Sequence, residues 1–404
     1  MAAGKFCGKA RGDDAWRLAS FLAISTVVLF VATGFAAAVE SEAEGRVDGE
    51  LEQLLLRGLE LIGQNRIDEA RTSIQTLLKR RPDFRLANAI FGDLLMAGAG
   101  KVTRFGEGVV GNEKELADLL AEAKVRLASE NRPPTSALPG GLLRLPLRYK
   151  HALIVDLSRS RLYLFRNRQG VPEPVSDYYI TIGKAGAGKK SEGDKKTPIG
   201  LYHVTGHLGG KSLPPFYGAG ALPLDYPNAW DQLHRRTGGG IWLHGSPSGL
   251  YSRPPRASDG CVVLTNPDFK ILEKSTPEGT PVMLTQHVDW LPPEEWQQRR
   301  EKILQRISQW RDAWVKRKGE GVLHYYSAHY RTGRMDDGAW NRLLAGEDGL
   351  MDPGLMEYPG DDGMMVVTWS GWQASGTGGN LVPMVQYWRF EEGADWKIVF
   401  EPNG

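Results

Sequence analysis

Hydrophobic residues recur at helical spacing between residues 48 and 128. Two runs carry them, with Leu51, Leu54, Leu55, Leu59 and Ile62 in the first and Ala70, Ile74, Leu77 and Leu78 in the second. Spacings of three and four residues place such side chains on one side of a helix. Asn65 separates the runs, and a third run begins at Phe84. The pattern therefore predicts a helical module over residues 48–128.

The pattern changes at Tyr149 to short apolar runs bounded by turn residues, which is typical of strands. The predicted strands lie at residues 151–157, 161–165, 178–182, 197–202, 241–243 and 262–264. A short helical pattern appears near residues 268–274. We expect a mostly β domain over residues 148–287, whose length of about 140 residues is usual for one domain.

The last hundred residues begin with a helical face and continue with alternating strands. The face comprises Ile303, Ile307, Trp310 and Trp314, and a second helix is predicted through Tyr325, Tyr326 and Tyr330. Strands are predicted at residues 364–372, 382–390 and 396–400. A helical start followed by a curved sheet predicts an α+β cone over residues 300–404.

Proline and glycine mark the boundaries between these regions. Residues 129–147 hold four prolines and two glycines and are predicted to be a linker. A second boundary is expected over residues 287–297, where Pro292 and Pro293 lie.

Residues 1–39 combine a basic start with an apolar run and three final alanines before an acidic stretch. This order is typical of a secretory signal peptide. The run is also near the ~20 residues that span a bilayer, so a retained signal anchor is the alternative. In either case we expect the rest of the chain to be exported.

The number of cysteines is the most informative feature of the composition. The net charge of +2 gives no indication of a nucleic-acid partner. Of the two cysteines, Cys7 lies in the leader and Cys261 in the β domain, so no internal disulfide is expected in the mature chain. An unpaired thiol in an oxidising compartment is a liability unless it is buried or used.

A histidine is predicted to lie near Cys261 in the sheet. One apolar run ends at His244, and the next begins directly after Cys261. If the two strands lie side by side, these residues meet at one mouth of the sheet. A cysteine beside a histidine can form a thiolate at neutral pH, which is a nucleophile for acyl transfer. His244 can either act as the base or form a thiolate–imidazolium pair with Cys261.

Residues next to His244 and Cys261 can stabilise an oxyanion and orient the imidazole. The turn at Asp259 and Gly260 would leave backbone N–H groups near the thiol, as oxyanion stabilisation requires. A backbone carbonyl, such as that of Gly245, can orient the imidazole.

A zinc site is disfavoured, because the spacing of the histidines around His244 matches no common zinc motif. The glycine-rich stretch 183–190 lacks the Ser or Thr of a nucleotide loop. We expect neither metal nor cofactor.

This stretch resembles the catalytic domain of L,D-transpeptidases (YkuD family), whose motif is His-Gly, a loop, and Ser-x-Gly-Cys. Here the motif is His244-Gly245 and Ser258-Asp259-Gly260-Cys261, and the resemblance covers residues 149–286. It implies a β-sandwich-like domain with Cys261 as nucleophile, His244 as proton donor and acceptor, and the Gly245 carbonyl as orienting group. Tyr226, Ser258, Asp259 and Gly260 would line the oxyanion and substrate site. Asp259 and Val263 depart from the family, in which many members have His at the first position and Arg or Asn at the second.

Two further resemblances complete a multi-domain prediction. GQNRIDEARTSIQTLLKRRPDF resembles one tetratricopeptide unit, but one unit cannot bury a solenoid core alone. A small helical module packed on its neighbour is therefore favoured. Residues 300–404 resemble SnoaL-like domains, a fold that often dimerises or binds ligands.

The resemblance implies an exported acyl transferase acting on peptidoglycan stem peptides through a Cys261 thioester. Export together with this chemistry predicts a periplasmic location, with the chain free or anchored at the inner membrane. The acceptor would be an amine on a second stem or on a wall-attached protein. Water as acceptor would make the chain an L,D-carboxypeptidase or an amidase that releases wall-bound lipoprotein. A wall-binding scaffold without catalysis is a third hypothesis.

Overall fold

A computed structural model describes residues 49–99, 105–107, 113–128, 136–316, 319–330, 351–360, 363–372, 382–391 and 395–402. The predicted signal peptide or anchor at residues 1–39 lies outside the described residues. Within them, no helix has both the length and the apolarity needed to cross a membrane. The described residues from Leu54 onward belong to one compact unit.

The first region is helical, as the hydrophobic spacing predicts. Its helices lie at residues 49–63 (α1), Ile67–Arg80 (α2), Arg85–Ala99 (α3) and Glu113–Ala128 (α4). Leu55, Ile74, Leu77 and Leu86 are fully buried, which confirms the predicted apolar faces. Asp68 and Glu69 in the first turn of α2 and Lys79 and Arg80 in its last turn suit the helix dipole.

Part of the predicted linker at residues 129–147 forms strands in the structure. Residues 129–135 lie outside the described part, but two strands follow at Leu138–Pro139 (β1) and Leu142–Arg144 (β2). β2 pairs with residues 355–356 of the C-terminal region, and β1 pairs with residues 290–291. Leu142, Leu143 and Leu145 are buried. Burial of these leucines outweighs the loop tendency of the neighbouring prolines and glycines.

The middle region contains eleven of the described strands and two α-helices. They are β3 (His151–Asp156), β4 (Arg161–Arg168), β5 (Val171–Tyr179), β6 (Ile182–Gly183), β7 (Gly200–His203), β8 (Leu208–Gly209), β9 (Gly220–Pro223), α5 (Ala229–Leu233), β10 (Trp242–Gly245), β11 (Arg256–Ser258), β12 (Val262–Leu264), α6 (Asn266–Ser275) and β13 (Pro281–Thr285). One sheet has the order β5-β4-β3-β13-β7 and another β12-β10-β9-β8, while β6 and β11 form a pair. The predicted strand at residues 178–182 is divided between β5 and β6.

The two larger sheets share one hydrophobic core. Leu153, Leu164 and Val282 from the first sheet cluster with Leu243 and Val262 from the second. Phe269 and Leu272 of α6 complete the cluster, and Thr265 caps that helix by accepting from Asp268 N–H. The core fixes β10 and β12, which carry the candidate site at their ends.

The C-terminal region is α+β. Its elements are β14 (Trp290–Leu291), α7 (Pro293–Val315), α8 (Gly319–Leu323), β15 (Met351–Glu357), β16 (Met364–Trp372), β17 (Val382–Glu391) and β18 (Asp395–Phe400). The sheet order β18-β17-β16-β15-β2 includes the strand from the predicted linker. The predicted helix through Tyr325, Tyr326 and Tyr330 is wrong at the first two residues, because α8 ends at Leu323, Tyr325 lies in the turn that follows, and Tyr326 forms a β-bridge with Ile398. Tyr330 lies in a helical segment at residues 328–330.

Candidate active site

The pairing of β10 with β12 brings the histidine and the cysteine to one face of the sheet. The strands are parallel, with Leu243 opposite Val262 and His244 opposite Val263. Leu243 and Val262 point into the shared core. Because side chains alternate along a strand, His244 and Cys261 lie on the other face, with Cys261 directly before β12. The expectation that the two runs lie side by side is confirmed.

His244 is fully buried and held by its own neighbour. Its Nδ1 lies 2.7 Å from the carbonyl oxygen of Gly245, so Nδ1 carries the proton and donates. Nε2 is buried and has no hydrogen-bond partner in the described part of the chain. The rings of Phe216 and Tyr217 lie 5.7 and 5.1 Å from the imidazole, centroid to centroid. The imidazole therefore sits in an apolar setting with Nε2 available as a base.

Burial makes the imidazole a weak base and the thiol a weak acid. Desolvation lowers the pKa of His244 to about 4. Desolvation also raises the pKa of Cys261, against a smaller effect of the backbone N–H of Trp242. The thiol itself lies 3.4 Å from the carbonyl oxygen of Gly240, to which it donates. At neutral pH the resting pair is a thiol and a neutral imidazole, because low polarity disfavours both charged forms. Of the two roles that the sequence leaves open for His244, this favours the base over the thiolate–imidazolium pair.

The turn before Cys261 is fixed by side-chain and backbone contacts. Ser258 Oγ donates to the carbonyl oxygen of Cys261 at 2.6 Å and accepts from the N–H of Gly260 at 3.2 Å. Gly260 has φ +133°, and a Cβ there would lie 2.9 Å from the carbonyl oxygen of Lys196. Thr197 Oγ1 donates to the Gly260 carbonyl at 3.0 Å. Glycine is therefore required at this position, and the Gly260 N–H is already engaged by Ser258.

Asp259 points to solvent rather than to the thiol. Its side chain is 69% exposed and lies 3.0 Å from Lys184 Nζ. Its charge still raises the pKa of Cys261, although less than burial does.

Comparison with known proteins assigns this region. Residues 150–284 match the L,D-transpeptidase catalytic domain family, YkuD. The middle region is a YkuD-type domain. No curated protein matches the chain significantly.

Two solved structures share a larger part of the fold. Bd1075 from Bdellovibrio bacteriovorus is 24% identical with a TM-score of 0.55, and the match covers 66% of this chain and 97% of that one. The helical cell shape determining protein Pgp2 from Campylobacter jejuni is 20% identical with a TM-score of 0.51, covering 68% of this chain and 96% of its own. At these identities the likeness shows a shared fold, which extends beyond the YkuD domain. The SnoaL-like assignment of residues 300–404 stays a prediction.

Tyr226 of the YkuD domain lies beside the glycine-rich loop. Its hydroxyl donates to the carbonyl oxygen of Thr237 at 3.1 Å, and Lys189 Nζ lies 6.0 Å from its ring centroid. Burial raises the pKa of Tyr226 to about 12, so it is a protonated donor at neutral pH.

The YkuD domain has a cation at its site that the sequence did not indicate. Val263, at the position where the resemblance leads one to expect Arg or Asn, is 2% exposed and exchanges two backbone hydrogen bonds with Thr181. Arg253 instead approaches from the loop between β10 and β11. Its charge lowers the pKa of both His244 and Cys261.

The guanidinium of Arg253 is held on two sides. Nη2 donates to the carbonyl oxygen of Ala257, and Cζ lies 5.2 Å from the ring centroid of Phe216. Nη1 is buried without a hydrogen-bond partner among the described residues. The sequence places Arg253 eight residues before Cys261, but spacing along a loop does not determine where a side chain lies. The signal that could have found it was the missing basic residue at Val263.

Proposed function

We propose that the chain is an exported cysteine acyl transferase that acts on peptidoglycan stem peptides. The observation that carries the proposal is the placement of the Cys261 thiol and the unpartnered Nε2 of His244 on one face of a YkuD-type domain. The Gly245 carbonyl orients the imidazole, as a third group does in catalytic triads. The remaining residues of the motif, Ser258 to Gly260, hold the nucleophile in its turn.

The first half-reaction forms a thioester. Sγ of Cys261 attacks the carbonyl carbon between the third and fourth stem residues, and the thiol proton passes to Nε2 of His244. The C–N bond then breaks, and the leaving amine takes that proton, so D-alanine departs as a neutral amine. An imidazole with a pKa of about 4 is unprotonated at neutral pH and can accept the proton.

The second half-reaction transfers the acyl group to an acceptor. An amine on a second stem, or on a wall-attached protein, attacks the thioester carbon and gives its proton to His244. The thiolate leaves, recovers a proton, and restores Cys261. No metal or cofactor takes part in these steps as proposed.

The proposal extends to the flanking regions. Residues 1–39 direct export to the periplasm by cleavage or as an anchor. Residues 300–404 form a SnoaL-like domain for ligand binding or dimerisation.

Intact-mass measurement with a carbapenem tests the nucleophile. We expect one acyl adduct on the wild-type chain and none on Cys261→Ala. An unmodified wild-type chain would overturn the proposal and favour a wall-binding scaffold.

Mass spectrometry of digested cell walls tests the acceptor. Transfer predicts crosslinks between two third-position residues, which disappear in Cys261→Ala. Shortened stems without such crosslinks would replace transfer by hydrolysis with the same nucleophile.

A further inference from the structure

The loop that carries Arg253 is attached to the N-terminal helical module. Glu122 and Arg126 of α4 are 1% and 3% exposed, and Arg126 Nε donates to Glu122 Oε1 at 3.0 Å. The same oxygen accepts from Ser252 Oγ at 2.8 Å. One buried carboxylate therefore joins a helix of the module to the residue before Arg253.

A second path leads from α4 to the backbone of Arg253. The guanidinium of Arg126 lies 3.8 Å from the ring centroid of Tyr179. The hydroxyl of Tyr179 donates to the carbonyl oxygen of Arg253 at 2.8 Å. Thr181 Oγ1 donates to the same carbonyl at 3.1 Å. Consecutive loop residues are thus fixed from the module and from the YkuD domain.

Tyr251, the residue before Ser252 and Arg253, also contacts the helical module. The ring of Tyr251 lies 4.7 Å from that of Phe84, centroid to centroid, and Arg81 Cζ lies 4.5 Å from the Tyr251 centroid. Tyr251 is 5% exposed. Residues 251–253, here called the anchored segment, therefore have contacts to helical-module residues 81–126 at Tyr251 and Ser252.

Glu122 and Arg126 form a buried ion pair within α4, four residues apart, and such a pair is costly to bury. Desolvation of both charges offsets most of their attraction, and an apolar pair of similar size often gives equal or greater stability. Glu122 and Arg126 instead fix the positions of their neighbours. A hydrogen bond fixes where Ser252 lies, and a cation over a ring fixes where Tyr179 lies.

We propose that Glu122 and Arg126 are positioning residues of the active site, which hold the anchored segment so that Arg253 lies against Phe216 beside His244 and Cys261. The helical module is then part of the catalytic apparatus rather than a separate binding domain. The inference rests on the proposed function, since it names what positions the same site.

Ser252→Ala tests the attachment while leaving both domains able to fold, because it removes one hydroxyl. We expect the rate of carbapenem acylation and kcat on stem peptides to fall about tenfold, since small displacements at a reacting centre have effects of this size or larger. KM should change less. Ser248→Ala, at an exposed serine of the same loop, is the matched control and should match the wild type.

A double-mutant cycle separates positioning from general stability. If Ser252 acts through Arg253, Ser252→Ala should have no further effect on acylation in an Arg253→Gln background. Glu122→Gln, which keeps an acceptor for Ser252, should fall between the wild type and Ser252→Ala. Equal rates for Ser252→Ala and Ser248→Ala, or additive effects in the cycle, would overturn the inference. Failure of the wild type itself to react would instead refute the proposed function.

Discussion

The hydrogen bond from His244 Nδ1 to the Gly245 carbonyl decides which nitrogen of the imidazole can act. At 2.7 Å it fixes the proton on Nδ1 and leaves Nε2 to accept one. The acceptor of this bond belongs to the next residue of the same strand, so ring orientation depends on the backbone of β10 and not on a distant side chain. The proposed mechanism needs this tautomer.

His244→Gln should lower kcat for stem peptides by about 10²- to 10⁴-fold, because glutamine cannot take the thiol proton. Carbapenem acylation of Cys261 should slow in parallel. Steady-state kinetics and time-resolved intact mass measure the two effects. A variant that acylates at the wild-type rate, with an unchanged melting temperature, would exclude His244 as the base.

The rate of carbapenem acylation should fall at acid pH with a midpoint near the pKa of His244. The base must be unprotonated, and burial lowers that pKa to about 4 rather than 6.5. The carbapenem acylation rate should therefore stay nearly constant as the pH falls from neutrality and decline only as it passes through about 4. A limb near 6.5 would show that the imidazole is solvated.

The same shift makes stability depend on pH. Between about 4 and 6.5 the unfolded chain binds a proton at His244 and the folded chain does not, so the free energy of unfolding rises with pH across this window. The shift corresponds to roughly 3 kcal/mol, present in full above 6.5 and lost as the pH falls toward 4. Urea denaturation at several pH values measures it. In His244→Gln this part of the pH dependence should disappear.

How much of the site follows from the sequence depends on how each residue is placed. His244 and Cys261 could be predicted together because each lies at the end of a short apolar run, and the two runs are separated by fewer than twenty residues. Arg253 could not, because its position follows from contacts of Tyr251 and Ser252 with helices more than a hundred residues earlier. The sequence leaves the resting protonation state of the pair open, because burial, which follows from the assembled fold, decides it.

The same distinction applies to the fold. The helical faces and most strands follow from periodicity, and Val262–Leu264 is a strand as predicted. β2 was missed because three residues between prolines carry no periodic signal, and its partner β15 lies more than two hundred residues later. Pairing over such a separation is decided by burial of Leu142 and Leu143 in the assembled chain.

Asp259→Asn should make the thiol slightly more acidic. The Asp259 charge raises the pKa of Cys261, so its removal lowers that pKa. The change should be small, because the carboxylate is largely exposed and paired with Lys184. We expect the rate of iodoacetamide alkylation at neutral pH to rise by less than about tenfold. Glu278→Gln, at an exposed carboxylate on another turn, is the control and should leave the rate unchanged.

Arg253→Gln should have the opposite effect on the thiol and also act on the imidazole. The guanidinium lowers the pKa of both Cys261 and His244, so its loss raises both. Alkylation at neutral pH should slow about tenfold for each unit by which the thiol pKa rises. The acid limb of carbapenem acylation should move upward from about 4.

Arg253→Lys separates charge from geometry. Lysine keeps the cation but lacks the planar group that donates to Ala257 and stacks on Phe216. If charge alone matters, its pH profile should match the wild type, whereas a profile like that of Arg253→Gln would show that the fixed position of the guanidinium is required. A wild-type profile in both variants would mean that Arg253 does not act on the pair.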